Sequence, residues 1–227
     1  WEIKRIWKDV YRALEIIKNS MKEKKENLSS KKILKSISKK SDYIKKVEKA
    51  KKYISDGDIY QANLSQKFEV DFDQTPLDLY QSLRKVNPSP FSGFLKFNDL
   101  FLVSSSPERL IKITNDTIQS RPIAGTRPRS SNKKEDYALA KELLLNDKER
   151  AEHLMLVDLE RNDLGRICKT GTVQVTDFML LEKYSHVSHI VSNISGCLLP
   201  DQSIFEILKS VFPGGTITGC PKIRCME

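Results

Sequence analysis

The sequence predicts an α+β fold with mixed or antiparallel sheets and flanking helices, and three observations carry that reading. Short apolar or alternating segments bounded by turn residues fill residues 60–120, the pattern of strands joined by turns. A long helical periodicity follows over 134–159, with apolar side chains recurring at i, i+3 and i+4. Strand-like segments resume after it, without the regular strand–helix alternation of a parallel βαβ sheet.

In chain order, residues 3–21 carry an amphipathic helix and 22–40 a polar, lysine-rich linker, which sets 1–40 apart from a domain over 41–227. Ser41 is placed to cap a helix through Ile54, with Tyr43, Ile44, Val47, Ala50 and Ile54 on or near one face. Asp56-Gly57 ends it. Residues 60–71 alternate like one strand, and Pro76 to Val86 reads as a short helix closed by the breaker-rich segment Asn87 to Pro90. Strands are expected at 91–96, 100–104, 110–113 and 117–120. The helix over 134–159 presents Tyr137, Leu139, Ala140, Leu143, Leu144, Ala151, Leu154 and Met155. Strands around 172–176 and 186–195 and a helix over 204–211 complete the chain.

Composition sets the outer bounds. With 227 residues and 39% hydrophobic content, the chain can bury a substantial core. No apolar run approaches the roughly 20 residues of a membrane span. The net charge of +9 is concentrated in lysines between Lys18 and Lys52. These alternate with apolar residues at helical spacing and lack the interleaved aromatics of a single-strand binder, so they read as solvated faces and no nucleic-acid partner is expected. A positive field also suits an acidic small molecule. Cys168, Cys197, Cys220 and Cys225 form no C-x-x-C pair, so they read as reduced packing residues, with the cytoplasm as the default compartment. The chain opens on Trp1, and Glu227 falls within what reads as a continuing helix, so a fragment is expected, truncated at its C-terminus.

The most unusual stretch is RPIAGTRPR, Arg121 to Arg129. Two prolines remove backbone donors, Gly125 permits close approach of a ligand, and the arginines can grip carboxylates in bidentate fashion. It reads as an anion site for a ligand with more than one carboxylate. Beside it stand GDIYQANLSQKF (57–68), LVSSSPERLIKI (102–113), KERAEHLMLVDLERNDLGR (148–166), EKYSHVSHIVS (182–192) and FPGGTITGCPKIRCME (212–227). Glu149 and Glu152, three apart on the expected helix, share one face within reach of a common ligand.

Together these segments resemble the chorismate-binding enzymes, from about Ser41 to the last residue. The resemblance implies part of that family's α/β sandwich and a dicarboxylate substrate, chorismate. By the same resemblance Glu152 is a magnesium ligand, Glu149 a neighbouring acid–base group, His186 the imidazole near the substrate ring, and Glu108 of the SPE motif a candidate general acid. His189 reads as structural. Ala124, Gly125, Thr126, Gln61, Thr218 and Lys222 are expected around the substrate. The family's other metal glutamate falls outside the chain.

Two positions discriminate within the family. Where its isochorismate and salicylate synthases carry a lysine that activates water, this chain has Gln61, and a neutral amide cannot take that proton. Amination is therefore expected, with ammonia supplied by a separate glutamine amidotransferase subunit and Mg2+ as cofactor. The segments at 90–94, 157–163 and 212–219 resemble the aminodeoxychorismate synthase branch, which yields 4-amino-4-deoxychorismate for 4-aminobenzoate. Ala124 instead resembles the anthranilate synthase branch, because its methyl group cannot serve as the nucleophilic lysine found in many para-aminating relatives. A non-catalytic chorismate binder is the alternative of another class.

Overall fold

The computed structural model describes residues 34–184 and 187–227. The helix read over 3–21, most of the linker over 22–40, and His186 lie outside the described residues. The elements, in order, are β1 (Lys35–Ser36), α1 (Lys40–Ser55), β2 (Gln61–Ala62), β3 (Phe68–Glu69), α2 (Pro76–Val86), β4 (Phe91–Phe97) and β5 (Leu100–Ser106). Then come β6 (Lys112–Thr114), β7 (Thr117–Ser120), β8 (Ile123–Pro128), α3 (Lys133–Leu145), α4 (Asp147–Gly165), β9 (Gln174–Lys183) and β10 (Val187–Cys197). The chain closes with α5 (Ile204–Val211), α6 (Gly215–Thr218), β11 (Gly219–Cys220) and α7 (Lys222–Met226). Among the described residues every pairing of these strands is antiparallel, within the mixed or antiparallel expectation.

These elements form two compact units interleaved in sequence, one holding the described residues up to Ile37 together with Lys67–Glu108, the other Ser38–Gln66 with Arg109–Glu227. In the first, β1 pairs with β3, and β4 and β5 form a hairpin. Thr75 caps α2, accepting from the Asp78 N–H with Pro76 at the first helical position. The helix meets the hairpin through Tyr80, whose ring centroid lies 5.6 Å from that of Phe94.

The second unit is built around β10. β9 runs along it, while β8 pairs with its first half and β7 with its second, and β6 extends the sheet from β7. Helix α4 lies against this sheet and buries His153, Leu156, Val157, Leu159, Glu160, Asp163 and Leu164. That spacing of three and four is one helix face. Ile118, Val157, Leu164, Ile167, Ile194, Ile207 and Val211 make one core cluster, the last two supplied by α5 behind a Ser203–Glu206 capping box.

Several expectations are corrected. The single helix over 134–159 is two, broken at Asn146, which adopts φ −73° and ψ 113° and serves as C-cap of α3 and N-cap of α4. Its side chain accepts from the Glu149 N–H, a local bond that periodicity cannot reveal. Lys39, in an extended conformation without a side-chain bond, precedes α1 instead of Ser41. The strand over 60–71 is two short strands, β2 and β3, which pair with different partners, β11 and β1. The centre of RPIAGTRPR, for which no element was expected, is strand β8, with Pro128 closing the strand and Pro122 buried just before it. The four cysteines are free thiols, and burial pushes Cys168 up to about 11. Among the described residues no helix is long and apolar enough to cross a membrane.

Candidate functional site

The site is organised by one irregularity. β8 and β10 pair Thr126 with His189 and Ala124 with Ile190, which leaves Gly125 as an extra residue in β8. A bulge of this kind needs a left-handed residue, and Gly125 has φ +84°. A Cβ there would lie 3.2 Å from Ile190 Cδ1 and Leu143 Cδ1 and 3.3 Å from Glu149 Oε2, so glycine also makes room for the carboxylate. Ala124, 7% exposed, faces the core, while Thr126 is exposed.

Thr126 Oγ1 meets His189 Nδ1 at 2.9 Å, and the Tyr184 ring stands edge-on to the imidazole at 5.5 Å. Burial lowers the His189 pKa, opposed by the Gly125 backbone and the Glu182 charge. His189, expected to be structural, thus stands beside the Gly125–Thr126 pair. The signal that could have found it is the cross-strand register, which a single sequence does not display.

The α4 glutamates diverge in their partners. Glu149 Oε1 accepts from Arg127 Nη1 at 2.9 Å, and Glu152 Oε1 accepts from Gln61 Nε2 at 2.8 Å. Both are half-buried and one turn apart, as their spacing implied. Gln61 Oε1 is buried without a hydrogen-bond partner. Gln61 arrives there because β2 pairs with β11, Cys220 opposite Gln61 and Gly219 opposite Ala62. Gly219, at φ +136°, sits so close to the Gln61 carbonyl that a Cβ would fall 2.2 Å from it. The segments at 57–68 and 212–227 are thereby brought to the same helix.

The three arginines of the motif do not form an open anion grip. Arg121 pairs with Glu182, Arg127 with Glu142 and Glu149, and Arg129 with Asp136, which also receives Lys183. The Arg129 guanidinium holds Asp136 down to about 2. Lys222, expected at the substrate, is also committed elsewhere: its ammonium is buried, bonded to Asp163 and to the Val211 carbonyl at 3.1 Å. Thr218 Oγ1 donates to the Gly214 carbonyl at 3.1 Å, closing the short helix α6. Glu108 belongs to the other compact unit, where its N–H donates to Ser106 Oγ at 3.3 Å.

One polar group went unread in the sequence. His153, fully buried on α4, has Nε2 at 2.7 Å from Ser192 Oγ, which itself accepts from the Met179 N–H at 2.9 Å. A hydroxyl donates one proton and accepts at two lone pairs, so the Ser192 contact is satisfied by a neutral His153 ring in either tautomer. Burial agrees, lowering its pKa to about 4. His153 therefore pins the helix bearing both glutamates to β10.

A carboxylate with one oxygen already held by an amide suits a hard divalent cation that takes one or two carboxylates and completes its shell with water and substrate oxygens. Glu152 offers such a ligand. Among the described residues no group of three or more His, Cys, Asp or Glu side chains gathers around a metal position.

Residues 2–227 match the family of chorismate-binding enzymes. Among curated relatives, the chain is 50% identical over 188 residues to anthranilate synthase component 1 of Acetivibrio thermocellus, covering 83% of this chain and 38% of that protein. It is 52% identical over 181 residues to aminodeoxychorismate synthase component 1 of Bacillus subtilis, covering 80% and 38%. The crystal structure of anthranilate synthase component I from Streptococcus pneumoniae superposes with a TM-score of 0.78 at 38% identity, covering 98% of this chain and 49% of that one. The chain thus spans little over a third of the length of the curated relatives it matches. On the family match over nearly its whole length, this chain belongs to the chorismate-binding enzymes.

Proposed function

We propose that the protein containing this chain aminates chorismate, with ammonia replacing the ring hydroxyl to give 4-amino-4-deoxychorismate and water. The observation that carries amination is the Gln61–Glu152 contact. With Nε2 given to the carboxylate, Gln61 turns a neutral carbonyl oxygen inward at the position where water-adding relatives are expected to carry a lysine base. An amide cannot deprotonate water at useful pH, whereas ammonia brings its own lone pair.

In this reading Glu152 holds magnesium, which when bound supplies positive charge to a substrate carboxylate. Glu149, ion-paired with Arg127, presents Oε2 beside Gly125 as a carboxylate that accepts the proton shed by ammonia as the C–N bond forms. Among the described residues the site's imidazole is His189, and its lowered pKa supports a neutral ring that orients the substrate through the Thr126 edge. Glu108 is the candidate general acid that delivers a proton to the departing hydroxyl oxygen, tested by Glu108→Gln. Ammonia comes from a separate glutamine amidotransferase subunit, for which free ammonium substitutes.

Ala124 favours a second reading, ortho amination to anthranilate, because a methyl group 7% exposed in β8 offers no nucleophile for a covalent route. The likeness of 90–94, 157–163 and 212–219 to the para-aminating branch outweighs it. The deciding experiment gives the full-length protein chorismate, magnesium and ammonium, with and without an aminodeoxychorismate lyase. 4-Aminobenzoate appearing only with the lyase supports para amination. Anthranilate without the lyase establishes the second reading, and unconsumed chorismate makes the protein a binder.

A further inference from the structure

Arg127, expected from the sequence to grip a ligand, sits instead in a closed ring of hydrogen bonds around Glu149. Its Nη1 donates to Glu149 Oε1 at 2.9 Å and to the Thr126 carbonyl at 2.9 Å. Its Nε and Nη2 donate to the two oxygens of Glu142 at 2.6 Å and 3.0 Å. Glu142 Oε1 also accepts from Asn146 Nδ2 at 2.9 Å, and Asn146 Oδ1 accepts from the Glu149 N–H at 3.1 Å, which closes the ring. The ring spans β8, α3 and the first turn of α4, and the Arg127 and Glu149 side chains are only 18% and 19% exposed. The other oxygen, Glu149 Oε2, stands against Gly125.

From this geometry we infer that Arg127, anchored by Glu142, is a positioning residue that holds Glu149 by one oxygen and so presents the other, Oε2, to the substrate beside Gly125. The inference rests on the role proposed for Glu149. A planar guanidinium with both edges bonded fixes a carboxylate's orientation as well as its position, which a flexible ammonium cannot do. An arginine spent on two protein carboxylates has no donor edge left for a substrate carboxylate. The charge pattern agrees: hydrogen bonds from Arg127 hold Glu142 below the usual carboxylate range, and bonds to Glu142 and Glu149 raise Arg127.

The test uses the full-length protein with chorismate, magnesium and ammonium, and compares Arg127→Gln, Arg127→Lys, Glu142→Gln and Glu149→Gln. Arg127→Gln is expected to lower kcat by about 10–100-fold with the chorismate KM within about threefold, because what is lost acts on a catalytic carboxylate. Arg127→Gln made in a Glu149→Gln background should lower kcat no further, because what Arg127 contributes passes through that carboxylate. Arg127→Lys should recover part of the rate, and Glu142→Gln should lower kcat in the same way by less. A raised chorismate KM with kcat unchanged would overturn the inference and return Arg127 to substrate binding. Equal losses of kcat from Arg127→Gln with and without Glu149→Gln would reduce the ring to a structural brace. If the Arg127 variants do not fold, Glu142→Gln, which leaves the guanidinium in place, decides by the same comparison with and without Glu149→Gln. Wild-type turnover in Glu149→Gln would instead refute the role proposed for Glu149 itself, a result separate from any behaviour of Arg127.

Discussion

Helix α4 carries a carboxylate–cation pair at each end, and the two are opposites in surroundings. At its first turn Glu149 meets Arg127 with both side chains about one-fifth exposed, 19% and 18%. Near its last turn Asp163 meets Lys222 with side chains 4% and 9% exposed. Arg127 engages three protein acceptors and leaves Glu149 Oε2 facing Gly125. Lys222 engages Asp163 and a backbone carbonyl, and Asp163 Oδ1 is buried with no hydrogen-bond partner. The first arrangement leaves an oxygen available to a ligand, whereas the second seals its charges inside. Burial accordingly pushes the Asp163 carboxyl up, against the pull of Lys222 and Arg166. Two motif residues of similar promise in the sequence, Arg127 and Lys222, thus separate into a partly exposed group and a core group by their surroundings alone.

The largest expected effect comes from breaking the sealed pair. Asp163→Ala leaves the Lys222 ammonium buried without its carboxylate and should cost about 3–5 kcal/mol in denaturant unfolding. Replacing both residues, Asp163→Leu with Lys222→Met, should restore most of that loss, and a double variant no better than the single one would mean that the pair's stability comes from elsewhere. The middle of the helix titrates. An unfolded histidine protonates near 6.5, while native His153 resists protonation down to about 4. Between those values the unfolded chain binds a proton that the native chain refuses, so stability falls as pH drops through the window, by on the order of 3 kcal/mol for this group. His189, whose pKa is also lowered, adds to the same slope. Denaturation midpoints from pH 7 to 4.5 should show this slope in the native sequence and a shallower one in His153→Gln. The smallest effect is at the bulge. Gly125→Ala should cost about 1–2 kcal/mol for a positive φ, and its methyl would crowd Glu149 Oε2, so turnover should fall more than stability alone explains.

The sequence made the family, the antiparallel α+β class and the shared face of Glu149 and Glu152 legible, because each rests on local pattern or ordered motifs. What stayed hidden depends on contacts distant in sequence. The three arginines of RPIAGTRPR read as ligand groups because Glu182, Glu142, Glu149 and Asp136 reach them only through the fold. The break at Asn146 was masked by apolar spacing that continues across it, and only the side-chain cap reveals it. His189 was set aside because strand alternation says nothing of which partner strand carries a bulge opposite it. His153 went unread because a histidine between a glutamate and a leucine gives no hint that Ser192 and Met179 wait behind it.

The most direct test of the exposed end as a magnesium-dependent site is chorismate turnover by Glu152→Ala in the full-length protein, with magnesium and ammonium and with thermal unfolding measured alongside. Turnover lost by about 100-fold or more with the unfolding midpoint unchanged is the expected result, as for removal of a group that acts in the transition state. Turnover equal to the native protein's would contradict the assignment of Glu152 and, with it, the role given to this end of α4.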